Sequence, residues 1–218
     1  MSSSASDAGL STVVGEPRPG APDLILASAS PSRAAVLRQA GLTALSEPAQ
    51  VDEAEIKAAL RAEGAGAHDV AEALAELKAQ RISRRRSGAF VIGADQMLEC
   101  EGIWLDKPAD VDQAAAHLRF LSAKTHNLVS AVCVVHDGTR LWHHVAAASL
   151  TMRPLSEDFI AAYLGAVGAA ALTSVGAYQL EGLGAQLFAR VEGDYFSILG
   201  LPLLPLMDFL RNHGVIAA

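Results

Sequence analysis

Apolar residues fall along this chain in short runs that stop at small or charged residues, and the runs alternate between two periods. Leu24-Ile25-Leu26 breaks into Ala27-Ser28-Ala29-Ser30-Pro31-Ser32-Arg33, which predicts a strand, a tight loop and a helix start. Ser30 suits the N-cap of that helix and Pro31 its first turn, while Val36 and Leu37 give it an inner side that ends at Gly41. Helical composition returns over 55–61 and, past Gly64-Ala65-Gly66, over 69–83, where Val70, Leu74 and Leu77 are expected on one face with Lys78 beside it. Residues 89–98 form a second apolar strand, interrupted by the carboxylate of Asp95. Glu101-Gly102 predicts a turn back through Ile103-Trp104-Leu105, and Asp110 a cap for a helix over 111–121 with Val111, Ala114, Ala115 and Leu118 on its apolar side.

Residues 127–135 predict a strand, Asp137-Gly138 a hairpin turn, and the chain through about Leu150 the partner strand. Ser156 and Glu157 open another helix, 175–184 is a glycine-rich turn region around Glu181, and apolar runs at 185–191 and 196–199 precede a C-terminal helix that ends near His213-Gly214. Strands of both pairing types with helices between them predict an α/β protein with a mixed, twisted sheet and flanking helices.

Length and composition narrow the function. At 218 residues and 51% hydrophobic composition the chain can bury a full core. Residues 1–22, rich in Ser, Ala, Gly and Pro, predict a flexible extension ahead of one domain over 23–218. A formal charge of −7 argues against a general nucleic-acid binder or a protein of anionic membranes. Arg84-Arg85-Arg86 is read as a solvated helix end rather than a nucleic-acid patch. The two cysteines, Cys100 and Cys133, have neither zinc-knuckle nor disulfide-scaffold spacing. No apolar run approaches the roughly 20 residues of a membrane span, and the N-terminus lacks a basic segment followed by an apolar core, so a cytoplasmic location is expected.

The polar residues at element ends form a set: Ser28, Ser30, Arg33, Glu53, Lys78, Asp95, Lys107 and Glu181. Cations and N–H donors suit phosphate oxygens, and carboxylates suit a divalent metal or an attacking water. A buried Asp95 would need a partner or a metal. No phosphate-binding Gly-x-x-x-x-Gly-Lys-Ser/Thr loop, dinucleotide Gly-x-Gly-x-x-Gly or serine-hydrolase Gly-x-Ser-x-Gly is present. Among the histidines, His143 and His144 should point to opposite faces of a strand, while His68, His117, His136 and His213 are expected at the surface or in loops. His126 is placed near the site with its role open.

Nine short pieces, in order, resemble the Maf family of nucleoside triphosphate pyrophosphatases over most of 23–215. They are Leu-Ala-Ser-Ala-Ser-Pro-Ser-Arg (26–33), Val-Asp-Glu (51–53), Leu-Ala-Glu-Leu-Lys-Ala (74–79), Gly-Ala-Asp-Gln (93–96), Asp-Lys-Pro (106–108), Leu-Ser-Ala-Lys-Thr-His (121–126), Gly-Ala-Tyr (176–178), Glu-Gly (181–182) and Gly-Leu-Pro-Leu (200–203). The resemblance implies a Maf/ITPase-like fold in two lobes, a homodimer, and cleavage of a nucleotide between its α and β phosphates with Mg²⁺ or Mn²⁺. It implies that Asp95 is the catalytic carboxylate, that Glu53 and Asp95 hold the metal, and that Lys107 shares in catalysis. Ser28, Ser30, Arg33 and Lys78 then bind substrate phosphates.

Three positions bear on the base. Most members carry a second arginine, a Thr or Ser, and a Gln where this chain has Ser32, Gln96 and Glu181. Gln96 and Glu181 resemble the branch that acts on 7-methyl-GTP, and a carboxylate at 181 can accept from a guanine edge. Ser32 departs from that branch, which tends to place a stacking aromatic there. The alternatives are a dTTP, UTP or broad-specificity pyrophosphatase, and a non-catalytic nucleotide-binding regulator of cell division.

Overall fold

The computed structural model describes residues 22–217, so the expected flexible extension lies, apart from Pro22, outside the described residues. Strand β1 (Leu24–Leu26) leads into α1 (Pro31–Gln39), whose N-cap Ser30 accepts from the Arg33 amide as its sequence predicts. A two-residue strand β2 (Leu45–Ser46) follows, then α2 (Glu53–Ala62) and α3 (Ala67–Ser83). Strand β3 (Phe90–Cys100) turns into β4 (Ile103–Leu105), and α4 (Val111–Leu121) is capped by Asp110. The hairpin β5 (Thr125–His136) and β6 (Thr139–Met152) precedes α5 (Glu157–Val167), a series of 3-10 turns over 168–187, β7 (Phe188–Glu192), the short α6 (Tyr195–Ile198) and α7 (Leu203–Asn212).

One seven-stranded sheet runs in the order β2-β1-β3-β5-β6-β7, with β4 also on β3. The β1 pairings are parallel and the rest antiparallel, which makes the sheet mixed as the sequence pattern predicts. Strand alternation sorts the core into layers. Ile25, Val91, Met97 and Cys133 face α3, while Leu26, Ile92, Ala94 and Val134 face α1 and α7. The far ends of β3, β5 and β6 enter a third cluster with α4, α5 and Tyr178, which forms the second lobe.

Strand β1 pairs with β3 only through 90–92, and β4 takes up the same edge of β3 again at 98–100. Residues 93–97 between them form a notch in the sheet beyond the carboxyl end of β1, where open α/β sheets place their ligands. Gly93 opens this segment. A Cβ there would stand 1.9 Å from the Ala75 carbonyl oxygen and 2.8 Å from the Ala79 Cβ, so its absence lets α3 lie directly on β3.

The buried stripe of α3 accordingly runs through Ala71, Leu74, Ala75, Lys78, Ala79 and Ile82, and Leu77, expected inside, is 41% exposed. Small residues set the approach, and the stripe follows them. On α4 the inner face is Ala114, His117, Leu118 and Leu121, with Val111 exposed and His117 buried instead of at the surface. His136 is also half-buried against Phe90, its Nδ1 3.1 Å from the Ala89 carbonyl oxygen. His143 and His144 do point apart: one lies 3.4 Å from Glu72 on α3, the other stacks with Trp142 on the opposite face. Both cysteines are free and buried, Arg84, Arg85 and Arg86 are exposed, and among the described residues no helix is long and apolar enough to cross a membrane.

Helix α2 buries no side chain completely. Ile56 and Leu60 rest against the α3-side core, while Lys57 pairs with Asp106 and Arg61 donates to the Gly102 carbonyl and covers the Trp104 ring at 4.5 Å.

The contact at Gly93 predicts that Gly93→Ala destabilises the protein by about 3 kcal/mol, because the nearest atoms are backbone and cannot yield cheaply. Urea denaturation measures it, and a change within error of zero would show that α3 does not approach β3 so closely.

Candidate active site

A cavity of about 450 Å³ opens at the notch in β3. Ser28, Ser30, Ser32, Arg33, Glu53, Lys78, Asp95, Gln96, Lys107 and Glu181, the full set singled out from the sequence, all line it. They come from six separate segments, and the topology alone brings them together.

Asp95 is at its centre. Its position on β3 turns it toward α3, where Lys78 projects from the buried stripe, and Lys78 Nζ lies 2.6 Å from Asp95 Oδ1. The same ammonium is 2.6 Å from Glu53 Oε1 at the start of α2. One cation therefore bridges two carboxylates, which answers the cost of burying Asp95 at 4% exposure. The second oxygen, Asp95 Oδ2, is buried and has no hydrogen-bond partner among the described residues. Burial works against charge on Glu53, but Lys78, Lys57 and Arg33 outweigh it and hold the carboxyl below its ordinary range.

Arg33, on the first turn of α1, is fixed by three contacts. Its Nε donates to the Gly200 carbonyl at 2.8 Å, and Nη1 donates to the Ala94 carbonyl at 3.0 Å and to Ser28 Oγ at 3.2 Å. The Ala94 contact satisfies a carbonyl of the notch that β1 is too short to reach. Desolvation lowers the pKa of the guanidinium while Asp95 and Glu53 act to raise it, and an arginine stays charged through such a shift. Lys107 stands at the exposed mouth just after β4. Its pKa is lowered first by desolvation, then by repulsion from Arg33 and Lys78, against the pull of Glu53 and Asp95.

The opposite wall is the segment 173–181, Tyr178 included, joined by Leu128. This wall is tightly set. Gly176 and Ala177 both have positive φ, 74° and 63°, and a Cβ on Gly176 would fall 2.6 Å from Leu98. A positive φ on a buried alanine is strain that the surroundings must hold in place. Tyr163 donates to the Ala177 carbonyl at 3.3 Å, and His126 Nε2 lies 2.7 Å from the Tyr178 hydroxyl. His126, whose role was open, thus braces this wall from behind and does not line the cavity.

Other participants had weaker signals. Lys57 lies four residues after Glu53, a spacing that puts both on one helix face, and its tie to Asp106 joins α2 to the segment carrying Lys107. Ser130 is the one polar residue in the apolar run 128–135, which marks it as a buried polar group in need of a partner. Gly200 opens the Gly-Leu-Pro-Leu piece, but nothing in that piece shows that its carbonyl, just after α6, accepts from Arg33.

The family profile described as Maf-like protein matches residues 23–213. The chain belongs to the Maf family. It is similar to a nucleoside triphosphate pyrophosphatase of Paramagnetospirillum magneticum, 58% identical over 190 residues that cover 87% of this chain and 98% of the relative. A relative from Granulibacter bethesdensis with the same name is 56% identical over 190 residues, 87% of this chain and 96% of its own. A 7-methyl-GTP pyrophosphatase of Rhizobium etli is 52% identical over 195 residues, 89% of this chain and 98% of its own. Relatives with both names thus lie at comparable identity to this Maf protein.

The brace behind the wall titrates. Burial lowers the His126 pKa from 6.5 to about 4. The unfolded chain therefore binds a proton that the native state refuses, so stability is full above about pH 6.5 and falls toward pH 4, by about 3 kcal/mol over that window. Urea midpoints at about pH 7 and about pH 5 measure this, and His126→Gln should flatten the difference. An unchanged pH dependence in His126→Gln would remove the histidine as its source.

Proposed function

We propose that this Maf protein hydrolyses the α–β phosphoanhydride of a nucleoside triphosphate, giving the monophosphate and pyrophosphate, with 7-methyl-GTP as the favoured substrate. The observation that carries the reading is the lysine bridge: Lys78 holds Asp95 and Glu53 together in one cavity with Arg33 and Lys107. Three cations suit a triphosphate and the charge that grows on a leaving pyrophosphate. Asp95, which meets Lys78 through Oδ1, is the group proposed to orient the attacking water and accept its proton. Arg33, with Nη2 uncommitted among the described residues, and the Ser28 and Ser30 hydroxyls are proposed to bind phosphate oxygens.

The donor set fits a divalent cation of the Mg²⁺ type. Asp95 Oδ2 is an orphaned acceptor, and Glu53 is half-exposed beside it. No group of three or more potential ligands occurs among the described residues, so the ion would rest on these two carboxylates and take its other ligands from water and phosphate. When bound, Mg²⁺ or Mn²⁺ would supply charge neutralisation at the phosphates and a more acidic water.

Glu181 and Ser32 both line the cavity, and a carboxylate at 181 favours a base edge with N–H donors and a positive charge over the two carbonyls of uracil or thymine. Ser32 gives no stacking surface, so base affinity would rest on the 173–181 wall. The family resemblance also favours a cytoplasmic homodimer.

Pyrophosphate release from 7-methyl-GTP, GTP, UTP and dTTP, with and without Mg²⁺ or Mn²⁺, tests the reading. Asp95→Asn should cut turnover by about a hundredfold or more, and Glu181→Gln should narrow the preference for 7-methyl-GTP over UTP. Wild-type turnover in Asp95→Asn would overturn the role of Asp95, and a pyrimidine preference in the wild type that of Glu181. Binding without hydrolysis of any nucleotide would favour the regulator.

A further inference from the structure

The family-like pieces leave α2 almost untouched: Val-Asp-Glu ends at Glu53, and the helix beyond it matches none of them. Lys57 lies in that unmatched part, yet it lines the cavity. It stands four residues after Glu53 on the same helix face, so the contact that sets Glu53 beside Lys78 also places Lys57, about 6 Å further along the axis. Its side chain is 14% exposed, which is low for a lysine on a helix that buries no side chain completely. The charge reaches the centre, because Lys57 is one of the cations that hold the Glu53 carboxyl below its ordinary range.

The partner of Lys57 points to a ligand. Lys57 Nζ pairs with Asp106 Oδ1, and the Asp106 side chain is 66% exposed. The cation is thus the covered half of the pair and the carboxylate the wet half. A carboxylate so placed gains little from the contact, and an anion with more charge can take its place at little cost. Asp106 immediately precedes Lys107, and both line the cavity. Lys107 in turn lies within the field of Arg33, Glu53, Lys78 and Asp95. Two lysines from separate segments, α2 and the chain after β4, therefore flank one replaceable carboxylate at the edge of the site.

We propose that Lys57 is a further substrate-binding residue: its ammonium leaves Asp106 to take the pyrophosphate part of the triphosphate, together with Lys107, and Asp106 is the counter-ion that it exchanges for substrate. The assignment gives the cavity a fourth cation and puts it at the leaving group, where negative charge grows as the α–β bond breaks. With the base against the 173–181 wall and the reacting phosphate at Asp95, the outer phosphates are the part of the substrate left for α2 to meet. The proposal rests on the reading of the cavity as a nucleoside triphosphate site.

The test separates a substrate contact from a tie that merely holds α2. Calorimetry with Mg²⁺ present measures binding of inorganic pyrophosphate and of 7-methyl-GMP to the wild type, Lys57→Gln, Asp106→Asn and the double variant. Lys57→Gln should weaken pyrophosphate about tenfold, the scale of one charge-assisted hydrogen bond, and leave the monophosphate unchanged. Asp106→Asn should act in the opposite direction, tightening pyrophosphate about threefold, and that gain should vanish once Lys57 is replaced. Lys57→Arg should keep most of the wild-type affinity and decides the matter if Lys57→Gln does not fold. A purely structural tie gives another pattern, in which both single variants weaken pyrophosphate, or pyrophosphate and monophosphate weaken together. Either pattern would overturn the proposal, as would unchanged pyrophosphate binding in Lys57→Gln or a wild type that binds no pyrophosphate. A gain in Asp106→Asn that persists without Lys57 would overturn the exchange, since it would reflect only the loss of a nearby negative charge. A wild type that binds pyrophosphate but hydrolyses no nucleotide would sink the functional reading, and the binding arm would still decide the role of Lys57.

Discussion

The buried pair between Lys78 and Asp95 sets the terms for this molecule. Two charges removed from water need close contact and nothing between them, and here that requires a helix lying directly on a strand. Gly93 permits it, two residues before Asp95, and Ala75 and Ala79 line the side of α3 that comes down. The three small residues and the two charged ones form one device. A side chain at 93 would lift the helix and take Lys78 away from the carboxylate, so packing and chemistry cannot be varied separately at this point.

The notch follows from strand lengths. β1 has three residues and β3 eleven, so part of the β3 edge lacks a strand neighbour. Arg33 takes the Ala94 carbonyl that a longer β1 would have taken. The permanent cation of the site is therefore also a structural replacement for missing sheet, which explains why it is held at three points. Phosphate groups and backbone carbonyls want the same donors, and a planar guanidinium with five N–H groups can serve both.

Much of this was legible in the chain. The caps at Ser30 and Asp110, the strand broken by Asp95, the hairpin at Asp137-Gly138 and the mixed sheet all follow from local pattern. So does the site's membership, because each residue ends or interrupts an apolar run and the ordered motifs match a family. Pairwise geometry was not legible. That Lys78 serves Asp95 and Glu53 at once depends on how close α3 lies, and Leu77 lost its expected place inside for the same reason. β2 was missed because two exposed residues carry no period. His117 reads as a surface residue by composition, yet it falls on the stripe that α4 turns inward. Gln96 shows the limit most clearly: strand alternation already sets it opposite Asp95, but nothing local shows that its amide meets Ser130 and the Ser197 and Ile198 carbonyls.

The light hold on α2 gives the site two kinds of stiffness. Asp95 and Lys78 belong to the packed interior and can part only when the sheet and α3 separate. Glu53 rides on a surface helix whose ties, Lys57 to Asp106 and Arg61 to the β3–β4 turn, are the sort that salt weakens and water replaces. Such a helix can lift while the fold stays whole. The cavity thus has one half set in the packed interior and another, carrying Glu53, on a helix held mostly by exposed contacts. Salt screens exposed pairs far more than buried ones, so ionic strength weakens the ties of α2 while the Lys78–Asp95 contact inside the fold is left nearly untouched.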